Sequence, residues 1–261
     1  MRHPIIILGA GYTGKYLADA LTGTSRHFFT TSRDPDKHLS HVPADRRMRF
    51  DLEEPSTWPN IPAGAELIWC FPATPLKQVQ DFARRLEGPA RRMVILGSTS
   101  AYEGLDRSNE YPPPWTDESV SIDLTKPRVQ GEEFLRKDCG AIVLRVAGIY
   151  GPGRNPVDWV RQGRVSPSRK YVNLIHVEDL AAICLLVLDK GKPGEAYNVS
   201  DGQPHTWNEI CAIAQQRWGV TAAAANEGLS PGKRISNAKL RSELDYRFQH
   251  PDLYTALQAL T

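Results

Sequence analysis

Three glycines, spaced Gly9-Ala10-Gly11-Tyr12-Thr13-Gly14, are the residues of this chain best suited to holding an anion. They follow the apolar run Pro4-Ile5-Ile6-Ile7-Leu8 and precede a helical pattern from Lys15 to Leu21. In a strand–turn–helix of that spacing, the first glycine permits a tight turn. The second lets the backbone approach a pyrophosphate, and the third lets helix and strand pack closely. Amides at the helix start, with the positive end of its dipole, then face the phosphates. A glycine-rich loop without a ligand is the alternative. The position between a buried strand and a helix argues instead for a bound dinucleotide, with Gly9, Gly11, Tyr12, Thr13 and Gly14 as its contacts.

The next polar group expected at such a ligand lies at the end of the second strand. An Asp or Glu about 20 residues past the glycines accepts from a ribose 2′-OH and selects NAD. Here the strand ends Thr30-Thr31-Ser32-Arg33. A hydroxyl followed by a guanidinium suits a 2′-phosphate, which a carboxylate would repel. Ser32 and Arg33 therefore favour NADP. NAD stays open, because a one-residue shift would make Asp34 the ribose ligand.

The elements that must position these residues alternate along the first half. Strands are expected at Arg26 to Thr31, Arg47 to Asp51, Glu66 to Phe71, Arg92 to Gly97 and Ala141 to Val146, with helices at Leu76 to Leu86 and Pro127 to Lys137. That order predicts an α/β fold, a Rossmann-type doubly wound parallel sheet with helices on both faces. Past Gly148, prolines and glycines punctuate the chain. A helix (Val177 to Leu188), a short strand (Ala196 to Val199), a helix opening on the capping box Thr206-x-x-Glu209 and a final helix after Pro251 follow. Residues 1–150 are expected to form the dinucleotide-binding domain. Residues 151–261 form a small substrate lobe, interleaved with the first domain and closing over the sheet's carboxyl edge.

Composition bounds the partners. At 261 residues, with 41% hydrophobic and 24% charged residues, the chain suits one full α/β core. A formal net charge of +2 and no basic block argue against nucleic acid, and Arg84-Arg85 and Arg91-Arg92 read as solvated edges. Cys70, Cys139, Cys184 and Cys211 are scattered, which fits thiols in a reducing compartment better than disulfides or zinc ligands. No apolar run is long enough to span a bilayer, and the first strand leaves no room for a secretion signal. A cytoplasmic protein with no membrane partner and no metal is expected.

Further motifs occur in order: Asp51-Leu52, Leu96-Gly97-Ser98-Thr99-Ser100-Ala101-Tyr102, Leu144 to Arg154, Asn173-Leu174-Ile175-His176-Val177-Glu178-Asp179-Leu180, Tyr197-Asn198-Val199-Ser200-Asp201 and Lys233 to Leu240. With the glycine turn, they resemble the extended, epimerase/dehydratase-like branch of the short-chain dehydrogenase/reductase superfamily over nearly the whole chain. The resemblance implies that Asp51 and Leu52 contact the adenine and that Phe71, Pro72 and Ala73 border the cofactor. It brings the backbone from Ala147 to Tyr150 close to the nicotinamide and makes Ser98 the catalytic hydroxyl, although a strand-end serine satisfying a turn explains it equally well. A homodimer through the helices at 76–86 and 127–137 is also suggested, with the oligomeric state left open.

One departure stands out. Family enzymes carry Tyr-x-x-x-Lys before the last of these strands, often with a glutamate four residues after the lysine. Anchoring on Glu132 puts Arg128 in the lysine slot and Leu124 in the tyrosine slot; anchoring on Glu133 gives Val129 and Thr125. No tyrosine lies between Tyr111 and Tyr150. Arg128 could hold ribose hydroxyls or a substrate carboxylate but could not shuttle a proton; a solvated helix-start arginine is the alternative. For His176 and Asp179 the favoured reading is structural, and the other histidines show no ligand spacing. Arg154, Asn173, Lys233 and Arg234 are the candidate substrate contacts, suited to an anionic small molecule such as a nucleotide-sugar or a carboxylate, with plain surface placement the alternative. Two functions follow: an NADP-dependent oxidoreductase or epimerase on a small hydroxy or carbonyl compound, or a non-catalytic NADP(H)-binding sensor that kept the fold.

Overall fold

The computed structural model describes residues 3–86, 90, 92–102, 110–225 and 230–260. Seven strands make the central sheet: β1 (Ile5–Leu8), β2 (Phe28–Ser32), β3 (Arg47–Arg49), β4 (Glu66–Trp69), β5 (Arg92–Ser98), β6 (Ile142–Val146) and β7 (Ala196–Val199), in the spatial order β7-β6-β5-β4-β1-β2-β3. Pairings are parallel, with Ile5 opposite Phe28 and Glu66, Thr30 opposite Arg47, and Glu66 opposite Arg92. Along β6 and β7, Val143 N–H donates to Glu195 C=O and Ala147 N–H to Val199 C=O, so the partners advance in the same sense. β1, β4, β6 and β7 are buried at every residue. Such unbroken burial explains why β1 reads as a continuous apolar run, not as an alternating one.

The helices are α1 (Tyr12–Thr22), α2 (Pro35–His38), α3 (Leu76–Arg85), α4 (Pro127–Asp138), α5 (Pro156–Arg161), α6 (Val177–Lys190), α7 (Trp207–Trp218), α8 (Ala238–Leu244) and α9 (Leu253–Leu260). Among the described residues none is long and apolar enough to cross a membrane. Two compact units share the chain. The first comprises Met1–Glu103, Ile122–Arg145 and Leu180–Tyr197; the second comprises Gly104–Ser121, Val146–Asp179 and Asn198–Thr261. The boundary expected at residue 150 thus moves to 145, and residues 180–197 return to the first unit. They do so because most of α6 and the start of the edge strand β7 complete its layers.

The first unit's core includes an aromatic cluster. Phe82 of α3 meets Phe50, Trp58 and Trp69 at ring separations of 5.1, 5.6 and 5.8 Å. Burying each such ring contributes about 1.5–3 kcal/mol. α3 and α4 pack against each other, and Gly131 of α4 lies so close to the Ala73 carbonyl that any Cβ there would strike it. Arg26 links strand to helix by bonding both Glu66 and Asp189.

The second unit has its own core around Tyr150, Val157, Leu174, Ile210 and Leu257. α5 is capped by Asn155, whose Oδ1 accepts from Val157 N–H at 2.8 Å. α7 carries half of the expected capping box. Thr206 Oγ1 accepts from Glu209 N–H (3.2 Å), but Glu209 turns its carboxylate to His205 Nδ1 (2.8 Å). A short parallel pair, Trp115–Thr116 with Arg234–Ile235, lies where only loop was expected. Of that loop, residues 103–109 lie outside the described residues, as does Arg91.

Candidate functional site

The glycine turn is held from behind by β2. Thr31 Oγ1 accepts from Gly9 N–H and Thr31 C=O from Ala10 N–H, each at 3.0 Å. Gly9 has φ +86°, a left-handed conformation that favours glycine. A Cβ on Gly14 would lie 2.7 Å from Gly9 C=O, whereas one on Gly11 would meet nothing within 4 Å. The turn is therefore tight on its protein side and open at Gly11. α1 starts at Tyr12, not Lys15, with Gly11 as its N-cap; no side chain caps it and its first turn holds no acid. An uncapped helix start beside an open glycine fits a pyrophosphate. Thr13 and Gly14 are buried, Tyr12 half-buried. Phe71 packs over Gly9, with its Cδ1 2.8 Å from where a Cβ would be, so the β4 end and the glycine turn meet.

At the end of β2, Ser32 Oγ accepts from Asp34 N–H (3.2 Å) and lies 2.9 Å from His38 Nδ1. Asp34 is the N-cap of α2, its Oδ1 accepting from Lys37 N–H at 3.2 Å. Arg33 is exposed, and its guanidinium makes no hydrogen bond or ion pair among the described residues. The carboxylate that could have taken a ribose hydroxyl is thus occupied, and the guanidinium is not.

The carboxyl end of β5 gathers a second polar group. Ser98 Oγ accepts from Ser100 N–H at 3.1 Å, the turn bond expected of a strand-end serine, and the residue stays half-buried. Arg128 Nη2 donates to Ser100 Oγ (2.9 Å), and Lys126 Nζ donates to Ser100 C=O (2.6 Å). Arg128 Nε also lies 3.3 Å from Glu132 Oε1. Glu132 is buried against Gly97, where a Cβ would fall 2.8 Å from its Oε2. Burial raises its pKa to about 7 despite the opposing pull of Arg128 and Arg145. Glu133, by contrast, is held below its usual value by Arg136, Arg145 and Lys137, which outweigh its own burial. The glutamate beside β5 is thus Glu132, four residues after Arg128. Leu124, in the tyrosine slot, is 53% exposed. Ser100 and Lys126 were not found by sequence reasoning; the Ser98-x-Ser100 spacing is a signal for Ser100, and Lys126 reaches it only through the fold.

The remaining candidates divide. Asp51 is half-buried and Oδ1 accepts from Glu53 N–H at 3.0 Å, while Leu52 is buried in the core. Pro72 is exposed and Ala73 wholly buried. Ala147 is nearly buried with its N–H on Val199 C=O, and Tyr150 is fully buried with its ring edge on His176. A cofactor role at these two positions falls to backbone, not side chain. Asn173 is buried, with Nδ2 donating to Lys233 C=O and Oδ1 accepting from Ile235 N–H, both at 2.8 Å. Its amide fastens the 233–235 segment. Arg154 is exposed, Lys233 half-buried, and Arg234 is oriented by Pro113 C=O (2.6 Å) and the Trp115 ring (4.9 Å).

No family model matches the chain. A 113-residue segment, 42% of this chain, is 30% identical to Protein YeeZ of Escherichia coli K12; the match spans only 41% of that curated relative. Solved structures match end to end. An inferred NAD-dependent epimerase/dehydratase from Methylobacillus flagellatus is 25% identical, with 99% of this chain and 97% of that one covered and a TM-score of 0.76. A short-chain dehydrogenase/reductase superfamily protein from Agrobacterium tumefaciens with bound NAD has a TM-score of 0.80 at 14% identity, covering 99% and 96%, a likeness of fold. In its parallel seven-stranded sheet and end-to-end fold, the chain is thus similar to epimerase/dehydratase-like and short-chain dehydrogenase/reductase superfamily proteins.

Proposed function

We propose that the chain is an NADP-dependent oxidoreductase or epimerase-like enzyme acting on a small, anionic hydroxy or carbonyl compound. The observation that carries this reading is the convergence of Lys126 and Arg128 on the Ser98–Ser100 turn at the carboxyl end of β5. Strands β1, β4 and β5 are parallel neighbours, so this group and the glycine turn share one sheet edge, about 10 Å apart across β4. That edge is where open α/β sheets bind ligands.

A dinucleotide held at the glycine turn by Gly9, Gly11 and Gly14 would supply hydride-transfer chemistry. Ser98 Oγ accepts one hydrogen bond and keeps its own proton, which it donates to the substrate oxygen. The fixed charges of Lys126 and Arg128 favour negative charge developing on that oxygen. Arg128 never deprotonates, so a water at Ser98 moves the proton that tyrosine moves in the family. Arg154, Lys233 and Arg234 are the proposed contacts to the substrate's anionic group.

Turnover of NADPH against a carbonyl panel, with melting followed in parallel, tests the proposal. Ser98→Ala is expected to lower kcat/KM by about 100-fold or more at unchanged NADPH affinity, the size of loss seen when one oxyanion donor is removed. Stabilisation by NADPH with no turnover would instead support the sensor reading, which the leucine at position 124 favours. Arg33→Ala is expected to weaken NADP by roughly 10- to 100-fold, the worth of one charge-assisted hydrogen bond, and to leave NAD unchanged. Equal losses for both in calorimetry would count against NADP selection.

A further inference from the structure

His176 and His250, far apart in sequence, stack in the second unit with ring centroids 3.7 Å apart. Glu178 reaches both: its Oε2 lies 2.7 Å from His250 Nε2 and 3.8 Å from His176 Nδ1. One donor atom from each of the three residues falls within 4.8 Å of the other two. A tetrahedral ion with bonds of about 2.0–2.1 Å sets its ligand atoms about 3.3 Å apart. The two separations to Glu178 bracket that value, and the three donor atoms lie within 4.8 Å of one another, so rotation of the two rings out of their stack would close the set.

The chemistry of the donors agrees. His176 is buried. Its Nδ1 accepts from Glu178 N–H at 3.3 Å, so that nitrogen carries the lone pair, and so long a bond is a weak claim on it. Glu178 and His250 are partly exposed, which leaves a path for an ion and a place for a water as fourth ligand. Asp179, fully buried, accepts from Tyr246 Oη–H (2.7 Å), Gln249 N–H (2.7 Å) and His250 N–H (3.0 Å). It fixes the backbone of His250 beside the first turn of α6, the outer support that metal ligands need.

We propose that His176, Glu178 and His250 bind one divalent transition cation, zinc or an ion of similar preference, through two imidazoles and a carboxylate. The ion ties the 246–250 segment to the start of α6. Two imidazoles, one carboxylate and a water form a familiar zinc ligand set.

The test uses the full chain, freed of any affinity tag and stripped with chelator. Zinc is titrated by calorimetry and cobalt(II) by visible absorption. Binding at 1:1 is expected, with a cobalt spectrum that lacks a thiolate charge-transfer band and so separates this site from exposed Cys139. Glu178→Gln and His250→Gln are each expected to weaken zinc by at least about 100-fold, beyond the 10–100-fold typical of losing a ligand's outer partner. His250→Phe keeps an aromatic ring in the stack and should lose zinc while the metal-free melting temperature holds. Absence of 1:1 binding at micromolar zinc, or unchanged affinity in these variants, overturns the proposal.

Discussion

Gly11→Asp is expected to leave the chain slightly more stable and unable to hold a dinucleotide. Gly11 caps α1 with φ −73° and ψ −158°, a conformation any residue adopts, and a Cβ there meets nothing within 4 Å. An aspartate would supply the missing cap and a favourable charge at the dipole, together adding a few tenths to about 1 kcal/mol. The same carboxylate would occupy the amides a pyrophosphate needs and repel it. Losing even two charge-assisted hydrogen bonds costs about 3 kcal/mol or more, at least about 100-fold in affinity. Calorimetry with NADPH and melting of the free protein give the two readings. Gly14→Ala, whose Cβ would lie 2.7 Å from Gly9 C=O, should lose both stability and binding. Unchanged NADPH affinity in Gly11→Asp would move the pyrophosphate elsewhere.

Glu132→Gln and Asp201→Asn are each expected to flatten the fall in stability between about pH 4 and 7. Burial raises both carboxyls to about 7, from the ordinary values of 4.5 for Glu and 3.8 for Asp. Below the unfolded value both states hold the proton, and stability is at its full level. As pH rises toward 7 only the folded state keeps the proton, so stability falls, and above that the loss is complete. At 1.36 kcal/mol per unit, Glu132 alone accounts for roughly 3 kcal/mol over its window. His176, held neutral when folded, works the other way below 6.5, so the contrast between parent and variant is the informative quantity. The amides keep most contacts: Asn at 201 can still accept from Gln203 N–H, and Arg128 keeps Ser100. Urea unfolding from pH 4 to 8 reads the slopes. Parallel curves for parent and variants would count against the shifted carboxyls.

Local signals made most of the first unit legible. The apolar strands, the glycine turn and Pro127 at the start of α4 are each written within a dozen residues. What stayed hidden depends on distant partners. Lys126 and Arg128 meet Ser100 only because α4 packs beside β5. Asp34 caps a four-residue helix that no periodicity announces. Asn173 bonds Lys233 and Ile235 through its amide, across a long stretch of sequence. The strand Trp115–Thr116 sits among prolines, and its partner is contributed from Arg234–Ile235. His176 and His250 have no spacing rule to join them, since Asp179 does so through backbone amides.

The interleaving of the two units bears on how the protein is made. β7, at one edge of the sheet, is drawn from residues 196–199, whereas β1, deep in its middle, is drawn from residues 5–8. During synthesis the central sheet must wait, one strand short, with β6 exposed along one side, until most of the chain has left the ribosome. A stop at residue 150 would release that unfinished edge, a ready template for pairing with another copy.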